Sequence, residues 1–286
     1  MSVPQLVSSE WLAGHLADLN VRIVDVRWSL LDRDRGRNTY AQGHVPGAVF
    51  LDVESDLASP RGQGPGRHPL PRPEAFAASM SRAGIGAGTH VVAYDFGDGS
   101  TAARVWWLLR YFGHESVSLL DGGIAHWEAE GRALETVVPA SPATSVFFPT
   151  PHPGMLVDAD TVERLRHDPH TLLIDSRAAE RYEGKVEPVD PVAGHISGAR
   201  SRPYAANVRS PQDPRFLEPE QLRETFKQLG ADRVERFILY CGSGVNACQN
   251  IFALRLAGLG DGLLYEGSWS DWCSVLTRAV GTGPIP

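Results

Sequence analysis

Apolar and polar positions along this chain follow two alternating periods. Runs of three or four consecutive apolar residues, many of them β-branched, are typical of strands that are buried on both faces of a sheet. Longer stretches carry apolar residues three and four positions apart, which indicates helices with one buried face. The predicted strands are 23–26, 49–51, 91–94, 117–120, 171–174, 237–240 and 263–265, and the predicted helices are 74–83, 102–112, 219–229 and 247–256. Because strands and helices alternate, we expect an α/β fold in which a mostly parallel sheet is flanked by helices.

The chain contains an internal repeat. Segments with similar sequence are 22–27 and 172–177, 43–48 and 194–199, and 120–123 and 265–268. Matching positions lie about 145 to 151 residues apart, so each copy is expected to form one domain of about 130 to 140 residues. We therefore predict two domains, at 1–139 and 153–286, joined by an extended, proline-rich linker at 140–152.

Composition sets limits on the function. The 286 residues carry a formal net charge of −7, and Lys and Arg are scattered along the chain, which argues against nucleic acid or an anionic membrane as the main partner. No stretch approaches the roughly 20 apolar residues of a membrane span, and no targeting signal is visible, so a cytoplasmic protein is expected. The three cysteines, Cys241, Cys248 and Cys273, favour reduced thiols over a disulfide framework. We expect Cys248 and Cys273 to be structural.

The strongest candidate for chemistry is Cys241, which directly follows a predicted strand. Gly242, Ser243 and Gly244 come next, so that backbone N–H groups surround the thiol without bulky side chains in the way. A helix N-terminus with free N–H groups favours a thiolate and binds anionic sulfur. Ligands of parallel sheets bind beyond the carboxyl ends of the strands, where Cys241 falls. The first copy has Asp95 at this position, so we predict one active site per chain.

These motifs together resemble those of tandem rhodanese-domain sulfurtransferases. The resemblance rests on the Asp-x-Arg after the first strand of each copy, the Gly-His-x-x-Gly-Ala segments, the Asp-Gly-Gly and Glu-Gly-Ser turns, and the loop at 241–247. It covers nearly the whole chain. It implies two rhodanese-like domains, of which the N-terminal one is an inactive copy, and a persulfide carried by Cys241.

Details of the site distinguish two branches of this family. Cys-Gly-Ser-Gly-Val at 241–245 is typical of mercaptopyruvate sulfurtransferases, whereas thiosulfate sulfurtransferases place basic residues after the cysteine. Arg181 matches the substrate-binding arginine of both branches. However, Asp190 stands where mercaptopyruvate enzymes have a second arginine, and Asn246 replaces a threonine that is usual in both. The resemblance therefore favours 3-mercaptopyruvate as the sulfur donor and leaves thiosulfate open.

The resemblance also implies a transfer in two steps. The Cys241 thiolate takes the sulfane sulfur from the donor, and the persulfide then passes it to a thiol, such as that of thioredoxin, or to cyanide. Contacts with the substrate are expected from Arg181, Gly242, Gly244, Val245 and Asn246. Ser243 is expected to polarise the ketone of the donor or to transfer a proton. The resemblance places it in a relay with His44 and Asp34 of the N-terminal domain, but the same Gly-His turn occurs around His195, so a repeated structural role for His44 is an equal alternative. No metal or organic cofactor is required by this scheme.

Rival classes of protein make different demands on the same residues. A cysteine phosphatase needs an arginine six positions after the cysteine to hold phosphate, and Ala247 stands there, which argues against that class. A non-enzymatic persulfide carrier needs no pocket for a small donor, and Arg181 argues for such a pocket. The carrier and the thiosulfate sulfurtransferase both remain as alternatives that a comparison of donors can distinguish.

Overall fold

A computed structural model describes residues 3–138 and 145–284. The strands in these residues are β1 (Leu6–Val7), β2 (Val21–Asp25), β3 (Val49–Phe50), β4 (His90–Tyr94), β5 (Val117–Leu120), β6 (Leu156–Val157), β7 (Thr171–Asp175), β8 (His195–Ile196), β9 (Arg200–Ser201), β10 (Arg236–Tyr240), β11 (Leu263–Tyr265) and β12 (Val280–Gly281). The α-helices are α1 (Ser9–Gly14), α2 (Arg35–Gln42), α3 (Pro73–Arg82), α4 (Ala102–Tyr111), α5 (Gly123–Ala129), α6 (Ala159–Leu165), α7 (Ala179–Tyr182), α8 (Pro219–Gln228), α9 (Ala247–Leu256) and α10 (Ser268–Trp272). Two 3₁₀ helices lie at Pro153–Met155 and Tyr204–Asn207.

The chain divides into two compact units that are not continuous in sequence. Unit 1 comprises Met1–Ala58, Pro71–His152 and Val208–Phe216, and unit 2 comprises Ser59–Leu70, Pro153–Asn207 and Leu217–Pro286. The predicted bounds at 139 and 153 do not include the two short segments 59–70 and 208–216. These segments occupy corresponding places in the repeat, and each belongs to the unit that is built mostly from the other copy. As a result, residues 59–70 share a unit with Cys241.

Unit 1 contains a five-stranded parallel sheet with the strand order β1-β5-β4-β2-β3. Its longest pairing joins β2 and β4, from Val21 opposite His90 to Asp25 opposite Tyr94. All of β4 is buried, which explains its continuous apolar run. The core of this unit includes Val7, Leu12, Ile23, Val45, Val92, Leu120, Ile124 and Trp127.

Unit 2 repeats this topology. Its parallel sheet has the order β6-β11-β10-β7-β9, so each strand takes the place of its counterpart in the first sheet. A separate antiparallel pair joins β8 and β12. The core includes Val162, Leu173, Tyr182, Ile196, Ile238, Tyr240, Trp269 and Trp272. The repeat in the sequence is therefore a repeat of the fold.

Every predicted strand and helix is present, with ends that differ by at most two residues. Helix α8 begins at a local signal, since Pro219 is its first residue and the Glu218 N–H donates to Gln221 Oε1 at 3.2 Å. Apart from β3, the hydrophobic periods did not reveal the two-residue strands, and they revealed none of the helices of four to eight residues. Such elements span too few positions for a period to be visible.

The predicted linker at 140–152 is described only from residue 145, because 140–144 lie outside the described residues. Residues 145–152 form no helix or strand. Phe147 is nevertheless buried, and its ring lies edge-on to Phe76 at 5.5 Å between centroids. The Thr150 N–H donates to Phe112 O at 2.9 Å. This part of the chain therefore packs on unit 1 as an extended strip.

Among the described helices, none combines the length and the apolar character that crossing a membrane requires.

Candidate active site

Cys241 lies at the carboxyl end of β10, just before the loop that leads to α9. It is buried, with 4% of its surface exposed. The Cys241 N–H donates to Ser268 Oγ at 3.1 Å, and its carbonyl oxygen accepts from the Trp269 N–H at 3.0 Å. Ser268 has a φ of 52°, the one positive φ at a non-glycine position among residues 3–138 and 145–284, and its Oγ donates to Tyr265 O at 2.9 Å. The turn after β11 thus holds the start of the Cys241 loop in place.

The loop after Cys241 presents unpaired N–H groups. In the part of the chain that the structure describes, no hydrogen-bond acceptor contacts the backbone N–H of Gly242, Ser243, Val245, Asn246 or Ala247. Gly244 turns the loop with a φ of 78°, and a Cβ there would lie 2.7 Å from Glu266 O, so only glycine fits. Unpaired donors beside a helix N-terminus form a site for an anion. The predicted loop residues therefore come together next to the Cys241 thiol.

Ser243 contacts a histidine that the sequence analysis missed. Ser243 Oγ and His68 Nδ1 are 2.7 Å apart, and both side chains are buried. His68 belongs to the segment 59–70 of unit 2. A buried serine paired with an imidazole can donate a hydrogen bond to a substrate and exchange a proton with it.

Three backbone features hold His68 beside Ser243. The Arg67 N–H donates to Ser270 Oγ at 3.0 Å, and the Leu70 N–H donates to Glu266 Oε2 at 3.0 Å. Directly before Arg67, Gly66 has a φ of 73° and approaches the backbone of Gly267 so closely that a Cβ would clash with the Gly267 carbonyl oxygen. The segment is therefore fixed to the same turn that holds Cys241. The sequence signal that could have revealed this site is an Arg-His pair in a loop rich in glycine and proline, because such loops often carry functional groups.

His44 has a packing role that is repeated in the second copy. Its Nδ1 lies 2.8 Å from Tyr40 O, and its ring stacks on Tyr40 at 4.0 Å. His195 makes the same contacts with Tyr182, at 2.8 Å and 3.7 Å. The histidine bonded to Ser243 is His68, so the prediction that named His44 for this contact is corrected. The Gly-His motif marked a structural position that occurs twice.

Asp34, the third member of the predicted relay, belongs to unit 1. It is exposed and precedes α2, where its side chain forms no capping hydrogen bond. No feature of unit 1 assigns it a catalytic role.

Arg181 is held by a neighbouring carboxylate. Its Nε and Nη2 donate to Glu187 at 3.1 Å and 2.6 Å, and Glu187 also accepts from Arg177 at 3.2 Å. Burial acts to raise the pKa of Glu187, but the hydrogen bond from Arg181 and backbone N–H groups outweigh burial, so the pKa is lowered. Glu187 is therefore ionised at neutral pH and fixes the guanidinium.

Asp190 connects Arg181 to a second arginine. Asp190 Oδ2 lies 3.3 Å from Arg181 Nη2, and Asp190 Oδ1 lies 2.6 Å from Arg67 Nη1. Sequence reasoning recorded Asp190 as the loss of a cation and missed Arg67. The structure shows that a cation is present after all and that it comes from the segment 59–70.

The other two cysteines are buried and, like Cys241, are not part of a disulfide. Cys248 Sγ lies 3.4 Å from Gly244 O, to which it donates. Cys273 packs in the core of unit 2, where burial first and Asp190 second raise the pKa of its thiol. A buried thiol of raised pKa is a poor nucleophile, which supports a structural role for Cys273.

The rhodanese-like domain family matches the chain twice, at residues 8–130 and 158–275. The chain belongs to this family. Because two copies of the domain cover most of its length, the predicted family and the predicted two-domain α/β fold are confirmed.

Relatives of known name cover nearly the whole chain. A protein of Pseudomonas aeruginosa named probable 3-mercaptopyruvate sulfurtransferase is 44% identical over 99% of this chain and 100% of the relative. A protein of Mycobacterium tuberculosis named putative thiosulfate sulfurtransferase SseB is 40% identical over 97% of each chain. The crystal structure of SseA from Escherichia coli, described as a 3-mercaptopyruvate sulfotransferase, matches with a TM-score of 0.82 and 34% identity, over 94% of this chain and 100% of that one. The predicted enzyme class, a sulfurtransferase, is confirmed.

Proposed function

We propose that the protein transfers sulfane sulfur from 3-mercaptopyruvate to a thiol acceptor through a persulfide on Cys241. The observation that carries this proposal is the combination around Cys241 of unpaired loop N–H groups with the Ser243–His68 pair. The N–H groups suit the anionic outer sulfur of a persulfide. The Ser243–His68 pair suits the ketone of a carbonyl donor.

In the first step, the Cys241 thiolate attacks the sulfur atom of 3-mercaptopyruvate. An S–S bond forms and the C–S bond breaks, and the electron pair of the C–S bond passes to the carbon skeleton as the enolate of pyruvate. The Ser243 hydroxyl donates a hydrogen bond to the oxygen on which negative charge develops, and His68 supplies the proton that Ser243 passes on. The products are pyruvate and the Cys241 persulfide.

In the second step, an acceptor thiolate attacks the outer sulfur of the persulfide. A new S–S bond forms on the acceptor, and Cys241 leaves as a thiolate, which completes the cycle without net oxidation. The acceptor class is a small or protein thiol, such as a reduced thioredoxin, and cyanide can take the same sulfur. Neither step requires a metal or an organic cofactor.

The charges at the site favour a monoanionic donor. Arg67, Arg177 and Arg181 lie close to an equal number of carboxylates, namely Asp175, Glu187 and Asp190. Such a balanced cluster offers directional hydrogen bonds but little surplus charge, so the dianion thiosulfate gains less from it than a carboxylate does. Thiosulfate also has no ketone for Ser243 to polarise. The net charge of −7 argues against nucleic acid or an anionic membrane as a partner.

A steady-state assay with both donors tests the proposal. We expect kcat/KM for 3-mercaptopyruvate to exceed that for thiosulfate at least about 10-fold, and Ser243→Ala to lower only the former, by about 100- to 10,000-fold, because general acid catalysis is worth that much. Cys241→Ser should remove turnover of both donors. A preference for thiosulfate would overturn the donor, and turnover by Cys241→Ser would overturn the mechanism. Persulfide formation without turnover of either donor would support the non-enzymatic carrier.

A further inference from the structure

The donor in the proposed function carries a carboxylate, and two guanidinium groups border the loop where it would bind. A Cβ placed on Gly242 would lie 3.1 Å from Arg67 Nη2 and 3.7 Å from Arg181 Nη1. Gly242 follows Cys241 directly, so both guanidinium groups reach the residue next to the thiol. The lack of a side chain at Gly242 leaves room between them and the loop.

The edge of the Arg181 guanidinium that is best suited to a carboxylate already binds Glu187. The Nε and Nη2 groups of an arginine form a fork that matches the two oxygens of a carboxylate. Elsewhere in the described chain, this edge binds a carboxylate in Arg27, Arg177 and Arg215. In Arg181 it binds Glu187. Only Nη1 of Arg181 is therefore available to a ligand.

In Arg67, the edge formed by Nε and Nη2 has no carboxylate bound to it among the described residues. Among these residues, the one side-chain hydrogen bond of Arg67 goes from Nη1 to Asp190 Oδ1, and its Nε is buried without a partner. The side chain is 12% exposed, so water has limited access to it. A buried donor without an acceptor is costly, and this cost is removed when a ligand brings an acceptor. The free Nη2 lies on the side of Gly242.

We propose that Arg67 binds the carboxylate of the sulfur donor side-on through Nε and Nη2. Asp190 is the positioning residue, because its hydrogen bond to Nη1 orients the Arg67 guanidinium. Arg181 contributes a single hydrogen bond from Nη1. This assignment rests on the proposed function, since it names the group that recognises the donor of that reaction. It makes the segment 59–70 the source of two donor contacts, because His68 from the same segment holds Ser243.

Arg67→Lys is the variant that tests this assignment, because lysine keeps the positive charge but has no fork. We expect KM for 3-mercaptopyruvate to rise at least about 10-fold with kcat changed by less than about 3-fold, since a binding contact is lost and the reacting atoms are untouched. The KM for thiosulfate, which has no carboxylate, should change by less than about 3-fold. Arg166→Lys is the matched control: Arg166 is also partly buried in unit 2 and paired with Glu163, at 2.9 Å, and its replacement should leave both donors unaffected.

Binding of pyruvate provides a readout that does not depend on turnover. Isothermal titration of wild-type protein and of Arg67→Lys with pyruvate should give a dissociation constant about 10-fold weaker for the variant. Asp190→Asn should weaken pyruvate binding less than Arg67→Lys does, because it misaligns the fork without removing it. Melting temperatures within the range of the Arg166→Lys control establish that each variant is folded.

Two results would overturn the assignment. One is unchanged pyruvate binding and unchanged KM for 3-mercaptopyruvate in a folded Arg67→Lys protein. The other is an equal loss with both donors, which would mean that Arg67 acts only as a charge. Failure of the proposed function gives a different result, because wild-type protein would then turn over thiosulfate in preference to 3-mercaptopyruvate. The titrations with pyruvate would still measure whether Nε and Nη2 of Arg67 bind a carboxylate.

Discussion

The loops that follow β4 and β10 are built on the same plan, but only one of them is open to a ligand. In the first loop, Asp95 Oδ1 accepts from the N–H groups of Gly97 and Gly99 at 2.9 Å and 3.0 Å. Asp95 Oδ2 accepts from those of Thr101 and Ala102 at 2.9 Å and 3.1 Å. In the second loop, Cys241 replaces the aspartate, and in the described chain no acceptor contacts the N–H groups of Gly242, Ser243, Val245, Asn246 and Ala247. The loop of the first copy therefore binds a carboxylate of its own chain. The loop of the second copy has backbone donors that can bind the anion of a ligand.

The difference extends to the residues around each loop. By the spacing of the repeat, Ser243 corresponds to Gly97, His68 to Pro214 and Arg67 to Asp213. In unit 1, a Cβ on Gly97 would lie 2.9 Å from Pro214 Cγ, so the space used by the Ser243–His68 pair is closed. Asp213 takes the place of Arg67, for which we propose contact with the donor. The first copy therefore has the same loop backbone and the same Asp-x-Arg pair, but different residues at the positions of Cys241, Ser243, His68 and Arg67.

Cys241→Asp should convert the active loop into the form of the inactive one, with the largest effect. We expect sulfur transfer to fall by at least about 1,000-fold, because no nucleophile remains. At the same time, the protein should be more stable than Cys241→Ser by about 1 kcal/mol or more, because a carboxylate accepts several charge-assisted hydrogen bonds from the loop. Urea unfolding of the two variants measures the difference, and a lower stability of the aspartate variant would contradict the equivalence of the loops.

Asp95→Ala should reveal how much the internal anion stabilises the first loop. Four backbone N–H groups lose their acceptor, and we expect unit 1 to lose about 2 to 4 kcal/mol, as for a broken buried network. Thermal unfolding followed by circular dichroism checks this. Asp18→Ala, at an exposed site of the same unit, is the control, and a loss no larger than that of the control would show that the loop keeps its shape without Asp95.

Asp98→Asn should have the smallest effect and one that depends on pH. Burial first and the Asp95 carboxylate second raise the pKa of Asp98 to about 6, from 3.8. The folded protein therefore binds this proton more tightly than the unfolded chain does, so the stabilising contribution is complete below pH 3.8 and is lost as the pH rises through about 6. The second loop has Gly244 at this position and no such group.

For Asp98→Asn, we expect a gain in stability at pH 7.5 of at most about 3 kcal/mol, which is the value of a pKa difference of about two units. Near pH 4 the variant and the wild type should be similar. Melting temperatures between pH 4 and 7.5 test this, with Asp18→Asn as the exposed control. A wild-type protein whose stability does not fall between pH 5 and 7 relative to the variant would contradict the raised pKa.

The sequence located the loop around Cys241 but did not reveal the residues that contact it. Cys241 and its glycines are consecutive in the chain, and their arrangement depends on one strand, one tight turn and one helix. The Ser243–His68 contact joins residues 175 positions apart, and the Arg67–Asp190 pair joins residues 123 positions apart. No periodic pattern connects such positions. The repeated motif around His44 and His195 left two roles open, because a repeated motif marks a shared structural position as readily as a functional one.

By itself, the sequence determined the two copies, the alternation of strands and helices, and the single loop that carries a thiol. These features are local, since they depend on side chains a few positions apart and on backbone conformations that glycine allows. Only the tertiary structure decided which histidine serves Ser243 and which arginine stands opposite Asp190. The segment 59–70 forms neither a helix nor a strand, and it is fixed by hydrogen bonds to the turn after β11. Those bonds exist only once the sheet of unit 2 has brought that turn into place.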